Sequence, residues 1–179
     1  MNNLYVKEYF DTLYSKLNSE NVIKFNQLIK LIKEVKRKKK KLILVGNGGS
    51  AAMASHVAVD FTKTCKIRAI NFNEADLITC YGNDYGFENW ITEALISYGD
   101  AEDLVVLISS SGQSKNIVNA AKFCNKKKIN FATFTGFKKN NPLKKISKIN
   151  FWVNSNSYNI IEMTHHIWLL MLVDYLSQN

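Results

Sequence analysis

The chain has 179 residues, the usual length of one domain and enough to bury a full hydrophobic core. Hydrophobic residues make up 46% and aromatic residues 12%, so we expect a globular protein rather than a disordered one. The formal net charge of +9 would suit an acidic partner, but Arg37 and Arg68 are the only arginines among 24 basic residues. Because base recognition usually depends on arginine, we do not expect a nucleic-acid partner.

The sequence also indicates a compartment. No run of about 18 apolar residues occurs, and the first ten residues lack the profile of a signal peptide, so we expect a cytoplasmic protein without membrane contact. The three cysteines, Cys65, Cys80 and Cys124, are odd in number and far apart. They form no C-x-x-C pair, which argues against disulfides and a zinc knuckle, and we expect buried free thiols.

The chain begins with two amphipathic helices in residues 1–40, ahead of an α/β core in 41–179, and we expect one domain. Apolar residues recur at helical spacing over 3–17. Ser19 is placed to cap a second helix whose apolar side ends at Val35. Helices in this position would pack against a partner subunit as well as against the core.

Residues 42–60 organise the core. An apolar run at 42–45 is typical of a strand buried on both faces. It is followed by a turn with the residues Gly46, Asn47, Gly48, Gly49 and Ser50, and then by helical spacing. Such a turn also serves as a plain connection, but its glycines let the backbone approach a ligand, and the helix N-terminus attracts an anion. Neither G-x-G-x-x-G nor a P-loop lysine is present, so we expect a phosphorylated small molecule and no nucleotide or organic cofactor.

The remaining elements alternate between strand and helix. Predicted strands lie at 67–72, 104–108, 131–135 and 149–153, and predicted helices at 73–79, 88–97, 114–127 and 158–176, with a loop at 81–89 and a short helix beginning at Pro142. Strands separated by helices predict a three-layer α/β sandwich, in which helices cover both faces of a five-stranded parallel sheet. Ligands bind such sheets at the carboxyl ends of the strands.

A second turn at that edge of the sheet is rich in hydroxyl groups. Four serines surround Gly112 at the start of a helix, namely Ser109, Ser110, Ser111 and Ser114. They can ring a phosphate with neutral donors while the helix end supplies a positive field. Serines also cap helices, and we expect one or two of these to do so. Capping does not require all four, so phosphate binding is the preferred interpretation.

Histidines and carboxylates recur in two predicted helices. His56 and Asp60 lie four residues apart after the first turn, and Glu162 and His166 lie four apart in the last helix, which is apolar nearly all round. Polar groups buried there need partners. Two facing pairs would supply the acid and base that move a proton between adjacent carbons, or ligands for a divalent metal such as Zn²⁺, or simply hydrogen bonds to each other.

The motifs GNGGS at 46–50, GNDYGFEN at 82–89 and ISSSGQSKN at 108–116, in this order, resemble the sugar isomerase (SIS) family. The resemblance spans nearly the whole chain and is strongest to the small single-domain branch, the phosphoheptose isomerases. It implies a flavodoxin-like sandwich and either an aldose/ketose isomerase or a sugar-phosphate binder. It also implies a homo-oligomer, usually a tetramer with active sites at subunit boundaries.

The resemblance also implies roles for single residues. His56 falls on an active-site histidine of the family, and Asp60 on its catalytic glutamate, shortened by one methylene. Glu162 falls on a glutamine that lines the site. The family's catalytic histidine falls at Leu170, and His166 lies one turn earlier on the same face.

Three further positions complete the comparison with the family. His165 matches a second histidine but lies about 100° round the helix from His166. Asp84 matches an aspartate that the family places near the substrate. Asn159 stands where another aspartate is common, so the chain resembles a divergent member.

We therefore expect a phosphosugar isomerase that interconverts sedoheptulose 7-phosphate and D-glycero-D-manno-heptose 7-phosphate through an enediol. The substrate would be held by Asn47, Gly48, Gly49, Ser50, Asp84, Ser109, Ser110, Ser111, Ser114 and Glu162. Asp60 would act as the base and His166 as its acid/base counterpart. Zn²⁺ would be held by His56, Asp60, Glu162 and His166. Two alternatives stay open: a non-catalytic scaffold of the kind that binds a replication initiator, and an isomerase of another phosphosugar.

Overall fold

The structure, a computed structural model, describes residues 2–178. Over these residues the chain forms eight helices and five strands. In chain order they are α1 (Asn3–Leu17), α2 (Val22–Arg37), β1 (Lys41–Val45), α3 (Gly49–Lys63), β2 (Arg68–Ile70), α4 (Ala75–Tyr85), α5 (Trp90–Tyr98), β3 (Leu104–Ser109), α6 (Lys115–Lys127), β4 (Asn130–Thr135), α7 (Pro142–Ile146), β5 (Asn150–Trp152) and α8 (Tyr158–Ser177).

The five strands form one parallel sheet in the order β2-β1-β3-β4-β5. From β1 the chain moves to the edge strand β2 and then returns to place β3 on the other side of β1. The strand order therefore reverses between β1 and β3, and in such sheets the carboxyl ends of these two strands flank a ligand crevice. The predicted three-layer sandwich with a five-stranded parallel sheet is confirmed.

Alternating side chains of the strands pack into two separate hydrophobic cores, one on each face of the sheet. Leu42 and Leu44 point to the face covered by α2, α3 and α8, and Ile43 and Val45 point to the face covered by α5 and α6. Every residue of β3 is buried, because both of its edges are paired and both of its faces are covered. The turns that follow β1 and β3 thus start from the best-packed part of the molecule.

Several local predictions need correction. Asn21, not Ser19, caps α2, and its side chain accepts a hydrogen bond of 2.8 Å from the Ile23 N–H. The Ser19 hydroxyl instead donates to the Lys16 carbonyl at the end of α1, 2.6 Å away. Strands β2 and β5 are shorter than predicted, with three residues each.

The predicted loop at 81–89 is partly helical, because α4 continues to Tyr85. Leu77, Ile78 and Tyr81 pack against the core beneath α5 and α6, and this packing outweighs the turn preference of the residues that follow. Cys80 lies on this helix and is exposed, whereas the other two cysteines are buried free thiols as expected. None of the helices within residues 2–178 is long and apolar enough to span a membrane.

Candidate active site

The first glycine turn leaves β1 and opens α3 toward free space. Gly48 precedes the helix with a φ of 54°, a left-handed value that favours glycine. A Cβ at Gly48 would meet no described atom within 4 Å, so the N-terminus of α3 is accessible. Ser50, in the first turn of α3, is buried. The positive end of the helix dipole, together with this open approach, suits an anion or a polar ligand.

The serine turn follows β3 and lies beside the first turn. The hydroxyls of Ser109 and Ser114 are 3.1 Å apart, and the Ser111 hydroxyl accepts a hydrogen bond of 3.2 Å from the Gln113 N–H. Ser114 precedes α6 without making a side-chain cap. Ser111 and one member of the pair of Ser109 and Ser114 therefore keep a free O–H donor for a ligand, while Ser110 donates to Glu162.

Two asparagines join the turns. Asn47 and Asn116 exchange reciprocal side-chain hydrogen bonds of 3.1 and 3.0 Å, and Asn116 is only 3% exposed. Sequence reasoning proposed Asn47 as a ligand-binding residue but missed Asn116 as its partner. The available signal was the position of Asn116 at the end of the ISSSGQSKN motif.

The Glu162 side chain extends from α8 to the two turns. Its carboxylate lies against Gly49, where a Cβ would collide with it, and it accepts a long hydrogen bond of 3.5 Å from Ser110. Burial raises the pKa of the Glu162 carboxyl, and the Ser110 hydrogen bond opposes that effect. The structure therefore places one carboxyl group between the two turns.

A histidine cluster, defined as His56, Asp60 and His166, lies farther along α3 and α8. His56 Nε2 is 3.2 Å from an Asp60 carboxylate oxygen, and His56 Nδ1 is 3.0 Å from His166 Nε2. The two rings are nearly perpendicular, with centroids 5.0 Å apart. Burial lowers the pKa of His166, as does the neighbouring His56, while Asp60 opposes this.

His165 does not belong to this cluster. It is fully buried, and its Nε2–H donates to the Thr135 carbonyl of β4 at 3.1 Å. Burial lowers its pKa to about 4, so the ring is neutral at neutral pH. Leu170 packs against the core on the same side of the sheet. Of the two neighbouring histidines, His166 is therefore the one that reaches the cluster.

Asp84 stands apart from the other predicted site residues in this chain. It is exposed on α4, where it accepts a hydrogen bond of 2.9 Å from the Asn83 side chain and contacts the Cys80 thiol at 3.6 Å. Asn159 is exposed in the first turn of α8. Neither residue has a described contact with the histidine cluster or with the two turns.

The four side chains predicted to hold a metal do not assemble into one site. His56 uses both ring nitrogens within the histidine cluster, whereas the Glu162 carboxylate lies between the turns. Over residues 2–178, no group of three or more His, Cys, Asp or Glu side chains is arranged to hold a metal ion. The residues present therefore do not fit the predicted Zn²⁺ in this geometry.

Comparison with known families agrees with this architecture. A family model described as "SIS domain" matches residues 5–136, which is more than half of the chain. The chain therefore belongs to the SIS domain family.

Its relatives place it in the phosphoheptose isomerase branch of that family. The phosphoheptose isomerase of Sulfurimonas denitrificans is 33% identical over 167 residues, covering 89% of this chain and 85% of the relative. Phosphoheptose isomerase 2 of Campylobacter jejuni is 36% identical over 140 residues, covering 71% and 69%. The fold matches a solved phosphoheptose isomerase from Francisella tularensis with a TM-score of 0.89, 22% identity and full coverage of both chains.

Proposed function

We propose that the protein is an aldose/ketose isomerase of phosphorylated sugars, and that it interconverts sedoheptulose 7-phosphate and D-glycero-D-manno-heptose 7-phosphate. The observation that carries the proposal is an acid/base cluster on α3 and α8, the two helices that also meet the glycine and serine turns through Gly49 and Glu162. The names of the relatives at 33% and 36% identity support the choice of substrate.

The phosphate would bind at the serine turn and the N-terminus of α3. Ser111 and one of the paired hydroxyls of Ser109 and Ser114 offer neutral donors, and the helix ends supply the field that favours an anion. Asn47 would hold the first turn in register with the serine turn, since its amide is fixed by Asn116. This part of the site binds and orients without taking part in the proton transfer.

The spacing along α3 separates the phosphate from the reacting carbons. Gly49 and His56 are seven residues apart, about 10 Å along the helix axis at 1.5 Å per residue. An open-chain sugar of several carbons, with C–C bonds of about 1.5 Å, covers such a distance. The sugar would run from the turns, past Glu162, to the histidine cluster. The Glu162 carboxyl group would form hydrogen bonds with the hydroxyl groups of the sugar.

The reaction needs one group that removes a proton from carbon and returns it to the adjacent carbon on the same face. The histidine cluster offers a carboxylate and two imidazoles in hydrogen-bond contact for that work. The described side chains do not fit Zn²⁺ in this geometry, and the three side chains of the histidine cluster would move the proton themselves. A bound zinc ion stays a prediction of the sequence and is tested in the assay below.

Active sites at subunit boundaries of a homotetramer are part of the proposal. Exposed apolar side chains on α1 and α8 support it, since such surfaces usually mark an interaction site. They are Leu4, Tyr5, Phe10, Tyr14, Met163, Ile167 and Met171. A second subunit would also be the source of a residue such as Asp84, which one chain alone leaves apart from its site. Light scattering after size exclusion tests the assembly, with Ile167→Glu expected to reduce it.

The deciding experiment is a proton NMR assay of the purified protein with sedoheptulose 7-phosphate in deuterated buffer, run with added zinc, with a chelator and with neither. An aldoheptose signal carrying deuterium at its second carbon is expected. Activity that depends on zinc and is abolished by the chelator would support a resident metal. Absence of product and of exchange with this and other phosphosugars would overturn the proposal and favour the scaffold alternative.

A further inference from the structure

Resting on the proposed isomerase function, we propose that His166 is the group that moves the carbon-bound proton, and that Asp60 acts on it only through His56. The sequence resemblance instead puts Asp60 at the position of the base. The proposal follows from how the three side chains are connected by hydrogen bonds.

With both rings neutral, the two contacts of His56 allow one arrangement of protons. An ionised Asp60 only accepts, so the contact of 3.2 Å requires His56 Nε2 to carry the hydrogen. His56 Nδ1 is then an acceptor, and the contact of 3.0 Å requires His166 Nε2–H to donate to it. The lone pair of His166 therefore resides on Nδ1. Within residues 2–178, this nitrogen has no hydrogen-bond partner, and it is free to take a proton.

The short side chain of Asp60 explains its indirect role. An aspartate reaches the histidine one turn earlier on its own helix, and that contact engages its carboxylate. His56 in turn has no ring nitrogen left for a metal or a substrate. Asp60 and His56 are thus positioning residues, which hold the tautomer of His166 and stabilise its cation when it forms.

The geometry around His166 supports a proton placed on it. The His56 ring contacts His166 Nε2 at 3.0 Å, and Asp60 contacts the other nitrogen of His56 at 3.2 Å, so an imidazolium formed at His166 is linked through His56 to a carboxylate. The groups that face it are His56 and Asp60 from α3, with Glu162 one turn earlier on α8. His166 is partly buried, so its ring remains accessible to a small ligand.

In the proposed isomerisation, one proton moves from C1 to C2 of the sugar and a second moves from O1 to O2. His166 Nδ1 takes a proton from C1 of the ketose, the C–H electron pair forms the C1=C2 double bond, and the carbonyl pair moves to O2, giving an enediolate and an imidazolium. The O1 proton moves to O2. The imidazolium then returns its proton to C2, C1=O forms, and the aldose is released with His166 neutral.

Deuterium exchange at the substrate carbon separates this proposal from Asp60 as the base. His166→Ala is expected to slow exchange by at least about 1,000-fold, within the range of general-base catalysis. Asp60→Ala is expected to slow it by about 10- to 100-fold, mainly in kcat, because the proton-transfer group remains. Asp174→Ala, an exposed carboxylate on α8, is the matched control and should leave the rate unchanged. An Asp60→Ala loss as large as that of His166→Ala would overturn the proposal.

A second measurement does not depend on turnover. ¹⁵N NMR of histidine-labelled protein reports which ring nitrogen carries hydrogen, with single variants assigning each signal. We expect both His56 and His166 to be protonated on Nε2 only. A hydrogen on His166 Nδ1 in the neutral protein would contradict the proposal. If no phosphosugar exchanges with wild-type protein, the proposed function fails, and this measurement still decides the hydrogen-bond arrangement.

Discussion

The side-chain amides of Asn47 and Asn116 form a closed pair, each donating to the other, between the turn after β1 and the start of α6. The Asn116 side-chain oxygen, Oδ1, also accepts a hydrogen bond of 2.9 Å from the Ile117 N–H. Three hydrogen bonds therefore meet on one buried side chain. The relative position of the two turns depends on this residue, although no ligand need touch it.

Asn116→Ala is expected to destabilise the fold by about 1–3 kcal/mol, because it leaves the partly buried Asn47 amide without its partner. Binding of a phosphosugar should weaken as well, since the turns lose their common register. Thermal denaturation with and without inorganic phosphate measures both effects. Asn125→Ala, which removes one exposed hydrogen bond of 3.4 Å, is the control and should change little. Equal effects of the two substitutions would refute the role of the pair.

Gly49→Ala should weaken substrate binding and turnover, because the new Cβ would collide with the Glu162 carboxylate and displace it. The clash involves one side chain, so a double-mutant cycle can test it. In a Glu162→Ala background, adding Gly49→Ala should have only a small effect on the dissociation constant of the phosphosugar substrate. If Gly49→Ala has the same effect in both backgrounds, the contact with Glu162 is not its cause.

Glu162→Gln should stabilise the free protein at neutral pH. The folded-state pKa of Glu162 is raised above its unfolded value, so the folded state holds the proton more tightly. The free energy of unfolding therefore falls as the pH rises from the unfolded-state pKa to the folded-state pKa and the carboxyl group ionises. The amide removes this cost and keeps a hydrogen-bonding group near Ser110. Urea denaturation at acidic and neutral pH should show a gain for the variant that is larger at neutral pH. A gain independent of pH would rule out ionisation as the reason.

Acid should destabilise the protein through His165. Its folded-state pKa of about 4 lies below the ordinary 6.5. Between these two pH values, His165 is protonated in the unfolded chain but remains neutral in the folded chain. The free energy of unfolding should fall as the pH drops from 6.5 toward 4, by about 3 kcal/mol for a shift of this size. His165→Gln, which keeps an N–H donor for Thr135 and does not titrate, should flatten the dependence in urea denaturation. An unchanged slope would assign the acid sensitivity to other groups.

The architecture was predictable because its signals are local. The apolar runs that became β1 and β3 are uninterrupted, and each leads directly into glycine or serine and then into helical spacing. Parallel pairing follows from the intervening helices, and the two turns then have to meet at one edge of the sheet. Two of the three motifs, at 46–50 and 108–116, lie on those turns, so the residues of the turns could be named in advance.

What sequence reasoning missed depends on contacts between distant residues. The continuation of α4 to Tyr85 comes from packing against a core that local turn preferences do not register. The partnership of Asn47 and Asn116 joins residues 69 positions apart. The separation of Glu162 from the histidine cluster depends on which way each side chain leaves α8, and helical spacing alone does not determine that.

The three-residue length of β2 and β5 has a consequence for the protein at high concentration. Both lie at the margins of the sheet, and a short outer strand offers few free backbone N–H and C=O groups to a foreign strand. At one margin, the exposed Arg68 adds a charge, and its guanidinium is tied to the Lys39 carbonyl at 2.9 Å. The sheet is therefore poorly suited to growth into fibres by strand addition. Copies of the chain that do associate are left to do so through the side chains of their helices.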